Sequence, residues 1–380
     1  MVENVEFIEK IINSSESLKT LALEPIEIVS SRRGAIVARV SSSKDGAQYA
    51  LKVSIESEEN AYSQNTSIKH ESNTLQALAE ESDNLYVDSH SSDDGTWLLI
   101  RWFGSLSSTD VAKTLRNDGL DKQKNKLGFI NLALMLANKV EVCHKNGYLH
   151  GDLQPSHFII NGDRAILIDW AIAQKIDGDT LKYKGAFVHY AAPEIASEML
   201  ERSGDIDYDV KAEIYAFGAV LFYLYTGKTA VFYGDEDFGN VPFEDKLKYV
   251  SDGHLRSFNS SQAPDHPELE EILMKCLATD KSERYNDVSE IKNDLLNFAA
   301  SLSKQIGPPL FAELISELEK RETKLSEAEI AQNKHHLTLG RAVGAFEDVD
   351  ITPEIKKLSE LVAEGRVRTK EAAELALRYA

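Results

Sequence analysis

The sequence predicts an α+β fold in which a strand-rich first part precedes a longer helical part. Between Ile26 and about Phe103 the apolar residues fall mostly into short strand-like runs, whereas after Gly104 they recur at helical spacing. Hydrophobic residues make up 42% of the 380 residues. That composition is enough to bury the cores of about two or three compact units.

The strand-rich part contains a predicted antiparallel hairpin. Residues 35–40 and 48–53 are β-rich and flank a Ser-Ser-Ser-Lys-Asp-Gly turn. Ser67 to Glu80 then has helical periodicity, and Trp97 to Ile100 is a candidate buried strand. The preceding residues 1–23 are expected to be a polar lead.

Helices are predicted in the rest of the chain by the recurrence of apolar residues. The polar lead has one short helix, at about Val5 to Ile12, and the later segments with helical spacing are Phe129–His144, Val210–Tyr225, Leu269–Cys276 and Val288–Phe298. The run Gly307-Pro308-Pro309 is expected to break the chain. Further helical segments are expected after that break, over 310–327, 329–346 and 352–379.

The bulk composition excludes several classes of protein. The formal net charge of −20 argues against nucleic acid or an anionic membrane as a partner. The apolar run from Ala216 to Tyr225 is shorter than the roughly 20 residues of a membrane span. Only Cys143 and Cys276 occur, and the N-terminus lacks the pattern of a signal peptide. We therefore expect a cytoplasmic protein, with secretion by a route that needs no cleaved signal left open.

Four charged residues occur in an order that suits phosphoryl transfer, which needs held phosphates, a bound metal ion and a carboxylate near the acceptor hydroxyl. Lys52 ends the strand Tyr-Ala-Leu-Lys, and Glu71 lies on a predicted helix from which it can pair with that lysine. Asp152 lies on a tight loop, and Asp169 follows the strand-like run 165–168, where it can bind Mg²⁺. Each signal is weak alone, and their joint order carries the prediction.

Several motifs extend this pattern. The stretch from His150 to His157 resembles the catalytic loop H-R-D-L-x-x-x-N, and Asp169-Trp170-Ala171 stands where D-F-G stands. Residues 185–194 end in Ala-Pro-Glu, residues 213–218 resemble the start of a buried helix, and residues 276–285 contain a late arginine, Arg284. Over about residues 24–300 the chain thus resembles the eukaryotic-like protein kinase superfamily.

The resemblance implies a bilobal protein-kinase-like fold. Its antiparallel-sheet N-lobe would span residues 24–104 and its helical C-lobe residues 105–300. The lead 1–23 would precede them, and a helical C-terminal extension would follow over 301–380.

The resemblance also implies a site for ATP with Mg²⁺ or Mn²⁺. The residues expected to act in catalysis are Asp152, Lys52, Glu71 and Gln154. Those expected to bind the nucleotide are Ser31, Gly34, Ile36, Ala50, Lys52, Ile100 and Trp102. Those expected to hold the metal ion are Asp169 and His157.

The departures from the family pattern concern phosphate handling and activation. Gly34 alone remains of three phosphate-loop glycines, Gln154 replaces a lysine, and Ala171 replaces the last glycine of D-F-G. Gly151 replaces an arginine that normally receives a phosphate on the activation segment. We therefore expect an active conformation that does not require phosphorylation of Thr180 or Tyr183.

His157 stands where the family has an asparagine that binds the metal ion. It can ligate a metal with a preference for Mn²⁺, since imidazole is a poor ligand for Mg²⁺. It can instead bond to Asp152 or to a phosphate, or it can impair metal binding. The first two alternatives favour an ATP-dependent Ser/Thr protein kinase, and the third a pseudokinase that acts as a scaffold.

The acceptor and the partners are less constrained by the sequence. The H-G-D loop also occurs in small-molecule kinases, so a kinase of a sugar or another small molecule is a further alternative. Ala192-Pro193-Glu194 and Arg284 favour a protein acceptor, because that segment shapes a platform for a peptide. In the tail, Leu310, Leu314, Leu318 and Leu325 recur at helical spacing, which suits either packing or binding of a partner or second copy.

Overall fold

The computed structural model describes residues 2–32, 34–54, 61–92, 95–119, 123–177, 183, 187–201, 206–234, 238–258, 266–320, 325–326, 330, 353–368 and 372. The chain divides into two compact units. The first comprises Met1–Leu120 and Gly128–Leu296, and the second comprises Asp121–Leu127 and Asn297–Ala380.

A five-stranded antiparallel sheet forms the first lobe of unit 1. Its strands are β1 (Leu23–Arg32), β2 (Ala35–Ser42), β3 (Gln48–Ser54), β4 (Tyr86–Ser92) and β5 (Gly95–Arg101). They are arranged in the order β1-β2-β3-β5-β4. The predicted hairpin is confirmed, since β2 and β3 pair antiparallel with Ala38 opposite Leu51.

The residues before the sheet include the helix predicted at about Val5 to Ile12, but they pack against the sheet and are not simply a polar lead. They form α1 (Val2–Ser14) and α2 (Glu16–Thr20). Ile8, Ile12 and Leu18 of these helices are buried against the sheet. The prediction failed because the few apolar residues of α1 and α2 gain a partner only when the sheet has formed.

Helix α3 (Ala61–Leu78) packs against the sheet and carries Glu71 toward β3. The predicted segment Ser67–Glu80 lies mostly within it, and a short 3₁₀ turn over Ala79–Ser82 ends it. The strand predicted at Trp97–Ile100 lies within β5, where Leu98 and Leu99 are fully buried. Helix α3 thus packs against β3, β4 and β5, which fixes the position of Glu71 beside Lys52.

The second lobe of unit 1 is mainly helical. Its helices are α4 (Ser108–Asn117), α5 (Gln123–Lys145), α6 (Pro193–Glu201), α7 (Val210–Thr226), α8 (Phe243–Ser251), α9 (Pro267–Cys276) and the start of α10 (Val288–Glu319). Its short strands are β6 (Tyr148–Leu149), β7 (Phe158–Asn161), β8 (Arg164–Leu167) and β9 (Gln174–Lys175), paired as β6-β9 and β7-β8. These short strands lead into the loops around residues 152–157 and 168–172. Together, the sheet lobe and the helical lobe confirm the predicted α+β class.

Helix α7 is buried on all sides. Its residues are apolar almost throughout, so every face finds a hydrophobic neighbour, and Glu213 is the buried exception. The Asp209 side chain caps its first turn by accepting from the Ala212 amide at 2.9 Å, and Gly227 ends it with a φ of 72°. The helix therefore holds Glu213 in a fixed position.

Unit 2 contains the rest of α10 and α11 (Pro353–Ala363). Lys357 of α11 pairs with Glu319 at the end of α10, at 2.9 Å. Helix α10 continues through residues 307–309, so the predicted break is wrong. A proline removes one backbone donor and strains the preceding turn, but a helix can continue beyond it as a kinked helix.

Part of the predicted tail lies outside the described residues. This holds for almost all of the segment 329–346 and for the side chains of Leu310 and Leu314. Leu318 is buried. Among the described residues, no helix combines the length and apolarity needed to cross a membrane.

Candidate active site

A cleft of about 1050 Å³ opens between the sheet and the helical lobe of unit 1. Strands β1, β2, β3 and β5, helix α3, and the loops around residues 152–157 and 168–172 line it. The sequence-predicted residues that line it are Ala50, Lys52, Glu71, Ile100, Trp102, Asp152, Gln154, His157 and Asp169. Its size is at the upper end of the range for small-molecule pockets, which suits a nucleotide.

Three residues expected to bind the nucleotide do not line the cleft: Ser31, Gly34 and Ile36. Ile36 is 1% exposed and belongs to the core beneath α1, so its assignment is corrected. Successive side chains of a strand point to opposite faces, and therefore Ala35 and Val37 face the cleft instead.

The same one-residue error affects β1. Val29, Ser30 and Arg32 line the cleft rather than Ser31. A register shift between Ile28 and Ser30 alters the alternation there, and a sequence pattern does not reveal such a bulge. The next residue, Arg33, lies outside the described residues.

Lys52 is the centre of the charged cluster. Its Nζ lies 2.7 Å from Glu71 Oε2 and 3.0 Å from Asp169 Oδ1. Burial by itself lowers the pKa of Lys52, but the two carboxylates outweigh it and raise that pKa above its usual value. The lysine is therefore held as a cation that faces the cleft.

Asp169 has a backbone φ of 65°, in the left-handed region that few residues other than glycine adopt. The Lys52 ammonium holds the pKa of its carboxyl well below the usual range, against the effect of burial. The next residue anchors this turn, because Trp170 is fully buried and its indole N–H donates to Leu167 O at 2.8 Å. The Trp170 amide also donates to Glu71 Oε1 at 3.2 Å, which links the turn to α3.

Asp152 and His157 face Asp169 across the cleft. His157 Nδ1 lies 2.9 Å from the backbone oxygen of Asp152 and 3.9 Å from its Oδ2. His157 Nε2 lies 3.8 Å from Asp169 Oδ2, so the imidazole stands between the two carboxylates. Gln154 Nε2 donates to Asp152 Oδ1 at 2.8 Å.

Glu213 holds the backbone that carries Asp152. Its Oε1 accepts from the His150 amide and its Oε2 from the Gly151 amide, both at 2.8 Å. His144 Nε2 lies 3.1 Å from Oε1. Burial by itself raises the pKa of Glu213, but the hydrogen bonds, first from His144, lower it below the usual value. The carboxylate thus stays charged inside the helical lobe.

His150 is fully buried, and its Nε2 bonds to Ile168 O at 3.0 Å. Burial lowers its pKa, which keeps the ring neutral. The Asp152 amide donates to its other nitrogen, Nδ1, at 3.3 Å. His150 thus ties the loop of Asp152 to the strand that leads to Asp169.

Gly151 has a φ of 80°, and a Cβ atom at this position would collide with the carbonyl oxygen of Ile172. The Tyr183 hydroxyl donates to Gly151 O at 2.7 Å, and Tyr183 is 3% exposed. Thr180, its companion in the predicted activation segment, lies outside the described residues. The space beside Gly151 is therefore filled by the chain itself.

Arg284 and Glu194 form a bidentate ion pair, with distances of 2.7 and 2.8 Å. The arginine is 2% exposed, and its other bonds go to backbone oxygens. This pair fixes the start of α6 against the segment before α10. It is the contact implied by the Ala-Pro-Glu motif and the late arginine.

Sequence reasoning missed the contacts of the tyrosine and histidine side chains around the site. His70 of α3 bonds to Ala173 O at 2.7 Å, and Tyr208 donates to Glu213 at 3.2 Å. Tyr183 had been considered only as a phosphorylation site. The spacing of these residues carries no signal, because each contact joins segments that are distant along the chain.

The donor set suits a divalent cation bound together with phosphates. Among the described residues, no group of three or more His, Cys, Asp and Glu is gathered to hold a metal ion. Asp169 is 43% exposed to the cleft, and His157 lies beside its Oδ2. Mg²⁺ bound with a nucleotide typically uses one or two carboxylates and takes its other ligands from phosphates and water. Asp169 supplies one such carboxylate, and the His157 imidazole beside it is a nitrogen ligand that suits Mn²⁺ better than Mg²⁺.

The protein kinase domain family matches residues 32–296. A probable serine/threonine-protein kinase of Clostridium acetobutylicum is 29% identical over 195 residues, 49% of this chain and 27% of that protein. A probable serine/threonine-protein kinase of Clostridium perfringens is 23% identical over 216 residues, 55% of this chain and 28% of that protein. The serine/threonine-protein kinase PrkC of Bacillus subtilis is 25% identical over 175 residues, 44% of this chain and 24% of PrkC. The matched segments thus cover about a quarter of these relatives' own length.

Proposed function

The chain belongs to the protein kinase family, and from that premise we propose that it is an active serine/threonine kinase that transfers the γ-phosphoryl group of ATP to a protein hydroxyl. The relatives' names support the class of acceptor residue. The observation that carries the proposal is the Lys52 cluster, because a charged lysine lies within 3.0 Å of both Glu71 and Asp169 in a cleft of nucleotide size.

In this proposal Lys52 binds the phosphates of ATP, and Glu71 keeps the lysine in place. Asp169, with His157 beside it, would hold a divalent metal ion. That ion offsets the charge of the transferred phosphoryl group when it is bound. Ala50, Ile100 and Trp102 line the sheet side of the cleft, where an adenine ring would find apolar contacts.

Asp152 is the proposed partner of the acceptor hydroxyl. Its side chain is 19% exposed, and its Oδ2 is 3.9 Å from His157 Nδ1. Gln154 orients the carboxylate by donating to Oδ1. A hydroxyl that enters the cleft can therefore meet a carboxylate oxygen and be oriented by it for attack.

A protein acceptor is supported by the lining of the cleft beside Asp152, where the Phe187 amide lies 3.5 Å from Asp152 Oδ1. Phe187, Met199, Phe243 and Lys246 also line the cleft, and the Glu194–Arg284 pair fixes the start of helix α6, which carries Met199. A surface that extends past the reacting group suits a polypeptide better than a sugar. The sugar-kinase alternative has no comparable observation in its favour.

A pseudokinase is the second candidate, and His157 is the observation that favours it. The imidazole occupies the space between Asp152 and Asp169, and an imidazole is a poor ligand for Mg²⁺. In that case the fold and the tail would act as a binding scaffold.

Transfer of labelled phosphate from ATP distinguishes the two candidates. Wild type should label itself, or an added acceptor protein, at serine and threonine in Mg²⁺ or in Mn²⁺. Asp152→Asn should lower the rate by about 100-fold or more, because the acceptor hydroxyl loses its carboxylate. Asp163→Asn is the matched control, since Asp163 is exposed in the turn between β7 and β8, and it should keep the wild-type rate.

A thermal-shift measurement with ATP and metal completes the test. ATP should stabilise Asp152→Asn as much as it stabilises wild type. Asp169→Asn should lose the part of this stabilisation that depends on the metal ion. A wild-type protein that is stabilised by ATP but transfers no phosphate would establish the pseudokinase. A wild-type protein that shows neither response would reject nucleotide binding altogether.

A further inference from the structure

Tyr183 lies where the segment after Asp169 meets the loop that carries Asp152, and we propose that it is the positioning residue of that loop. By this inference the hydrogen bond from the Tyr183 hydroxyl to Gly151 O holds the loop in its active conformation. No phosphate on the segment is then needed. The inference rests on the proposed kinase function. It adds a residue that none of the kinase motifs contains.

Gly151 is held through both of the peptide groups that flank it. Its amide donates to Glu213 Oε2 at 2.8 Å, and its carbonyl accepts from the Tyr183 hydroxyl at 2.7 Å. That carbonyl belongs to the peptide bond that joins Gly151 to Asp152. Its orientation therefore sets the direction in which the Asp152 side chain leaves the backbone.

The Tyr183 ring is itself fixed. It stacks on Tyr208 with a centroid distance of 4.3 Å and an interplanar angle of 26°. The backbone of Tyr183 forms an antiparallel bridge with Ile206. Since Tyr208 donates to Glu213 Oε2 at 3.2 Å, both tyrosines and Glu213 form one network around the Gly151 peptide.

Gly151 is what allows this arrangement. Its φ of 80° is one that residues with a side chain rarely adopt, and a Cβ atom there would meet Ile172 O and the Tyr183 ring. In relatives with an arginine at this place, the cation binds a phosphate and so ties the segment to the loop. In this chain the Tyr183 hydroxyl links the segment to the loop, through its hydrogen bond to the Gly151 carbonyl.

The charges around Tyr183 disfavour phosphorylation of its hydroxyl. The carboxylates of Asp152 and Glu213 act on its hydroxyl, and the side chain is 3% exposed. A phosphate on that oxygen would be buried beside like charges, which is strongly unfavourable. The contact is thus a permanent part of the fold rather than a modification site.

Replacing Tyr183 with Phe tests the proposal, since the ring that stacks on Tyr208 is kept and only the hydroxyl is lost. The turnover number should fall about tenfold, as expected when one buried hydrogen bond is lost from the active conformation, with KM for ATP unchanged. Tyr285→Phe is the matched control. Tyr285 is also buried, and its hydroxyl also donates at 2.7 Å, but to Asp294, away from the cleft.

Equal turnover of Tyr183→Phe and wild type would overturn the inference while leaving the kinase function in place. A parallel loss in Tyr285→Phe would also overturn it, because the effect would then be one of general stability. Hydrogen exchange provides a readout that needs no activity. The peptide 148–154 should exchange about tenfold faster in Tyr183→Phe, but not in Tyr285→Phe. Unchanged exchange would reject the positioning role even if wild type proved inactive.

Discussion

The tautomer of His157 follows from its contacts. Its Nδ1 lies 2.9 Å from the carbonyl oxygen of Asp152, which can only accept, so Nδ1 carries the proton. In the neutral ring Nε2 is then an unprotonated nitrogen that faces Asp169 Oδ2 at 3.8 Å. A metal-binding histidine is commonly oriented in this way, with its second nitrogen bonded to a backbone oxygen. This orientation leaves Nε2 available as a ligand, which supports the proposal that His157 binds the metal ion.

Replacing His157 with Asn should change which metal ion supports activity. An amide oxygen suits Mg²⁺ better than an imidazole nitrogen does, so the ratio of the Mn²⁺ rate to the Mg²⁺ rate should fall on the order of tenfold. Initial rates at saturating ATP with each metal measure this ratio. His90→Asn, at an exposed histidine of β4, is the control. A ratio that stays at the wild-type value would show that His157 does not ligate the ion.

At the scale of elements, α1 and α2 cover one face of the five-stranded sheet of the first lobe. Ile8, Ile12 and Leu18 cover the face of the sheet that points away from the cleft, where Ile36 and Leu51 are buried. Covering that face keeps β2 and β3 in register, and Lys52 lies on β3. The helices thus support the site without contributing a residue to it.

Ile8→Ala tests this support. Ile8 is fully buried, and such a truncation should lower the free energy of unfolding by about 2–4 kcal/mol. Ile26→Ala in β1 is the matched control, because Ile26 is 47% exposed and its loss should cost less than about 0.5 kcal/mol. Urea unfolding followed by tryptophan fluorescence measures both. Equal stabilities of the two variants would contradict the packing role of α1.

The helices and strands predicted best are those whose own residue types and periodicity indicate the element. The hairpin of β2 and β3 and the buried helix α7 follow directly from residue type and periodicity. The lead 1–23 was misjudged because its burial depends on a partner surface that forms elsewhere. The same limit applies to Ile36, whose side of the strand is decided by where α1 packs.

At the site, the charged residues were predictable and the supporting contacts were not. Lys52, Glu71, Asp152 and Asp169 follow from motif order, and the structure brings all four to one cleft. Their catalytic roles stay a prediction. The tie from Tyr183 to Gly151 joins residues 32 positions apart, and such a contact becomes visible only in the folded chain.

At the scale of the molecule, the family match and the first compact unit both end at residue 296. This agreement supports the proposed end of the kinase region near residue 300. The extension 301–380 stays a prediction as a partner-binding or self-associating module. Cys143 and Cys276 are free and buried.

The stability of the whole protein should decrease in mild acid because of His189. Burial, and then Lys246, lowers the pKa of His189 to about 4 from an unfolded value of 6.5. The side chain packs edge-on against Phe187 and bonds to Tyr233 Oη at 2.8 Å. The unfolded state binds the proton first as the pH falls below 6.5, so the stabilisation present at neutral pH is lost between the two pKa values.

Unfolding at about pH 7.5 and about pH 5 should reveal a loss on the order of 2 kcal/mol from this residue. His189→Gln removes the titrating group and should show a correspondingly smaller loss between the two pH values. His254→Gln, at an exposed histidine, should behave as wild type does. A His189→Gln protein with the full wild-type pH dependence would assign the acid sensitivity to other groups.

The glycine at 151 also limits how this kinase can evolve. An arginine introduced at 151 by a single substitution would place its Cβ against the Ile172 carbonyl oxygen at a positive φ, so the arginine of the family pattern would be strained in this chain. A phosphate-switched variant of this chain would need coordinated changes in two segments. If Tyr183 positions the loop as proposed, an exchange at 151 should be tolerated better when residue 183 changes with it.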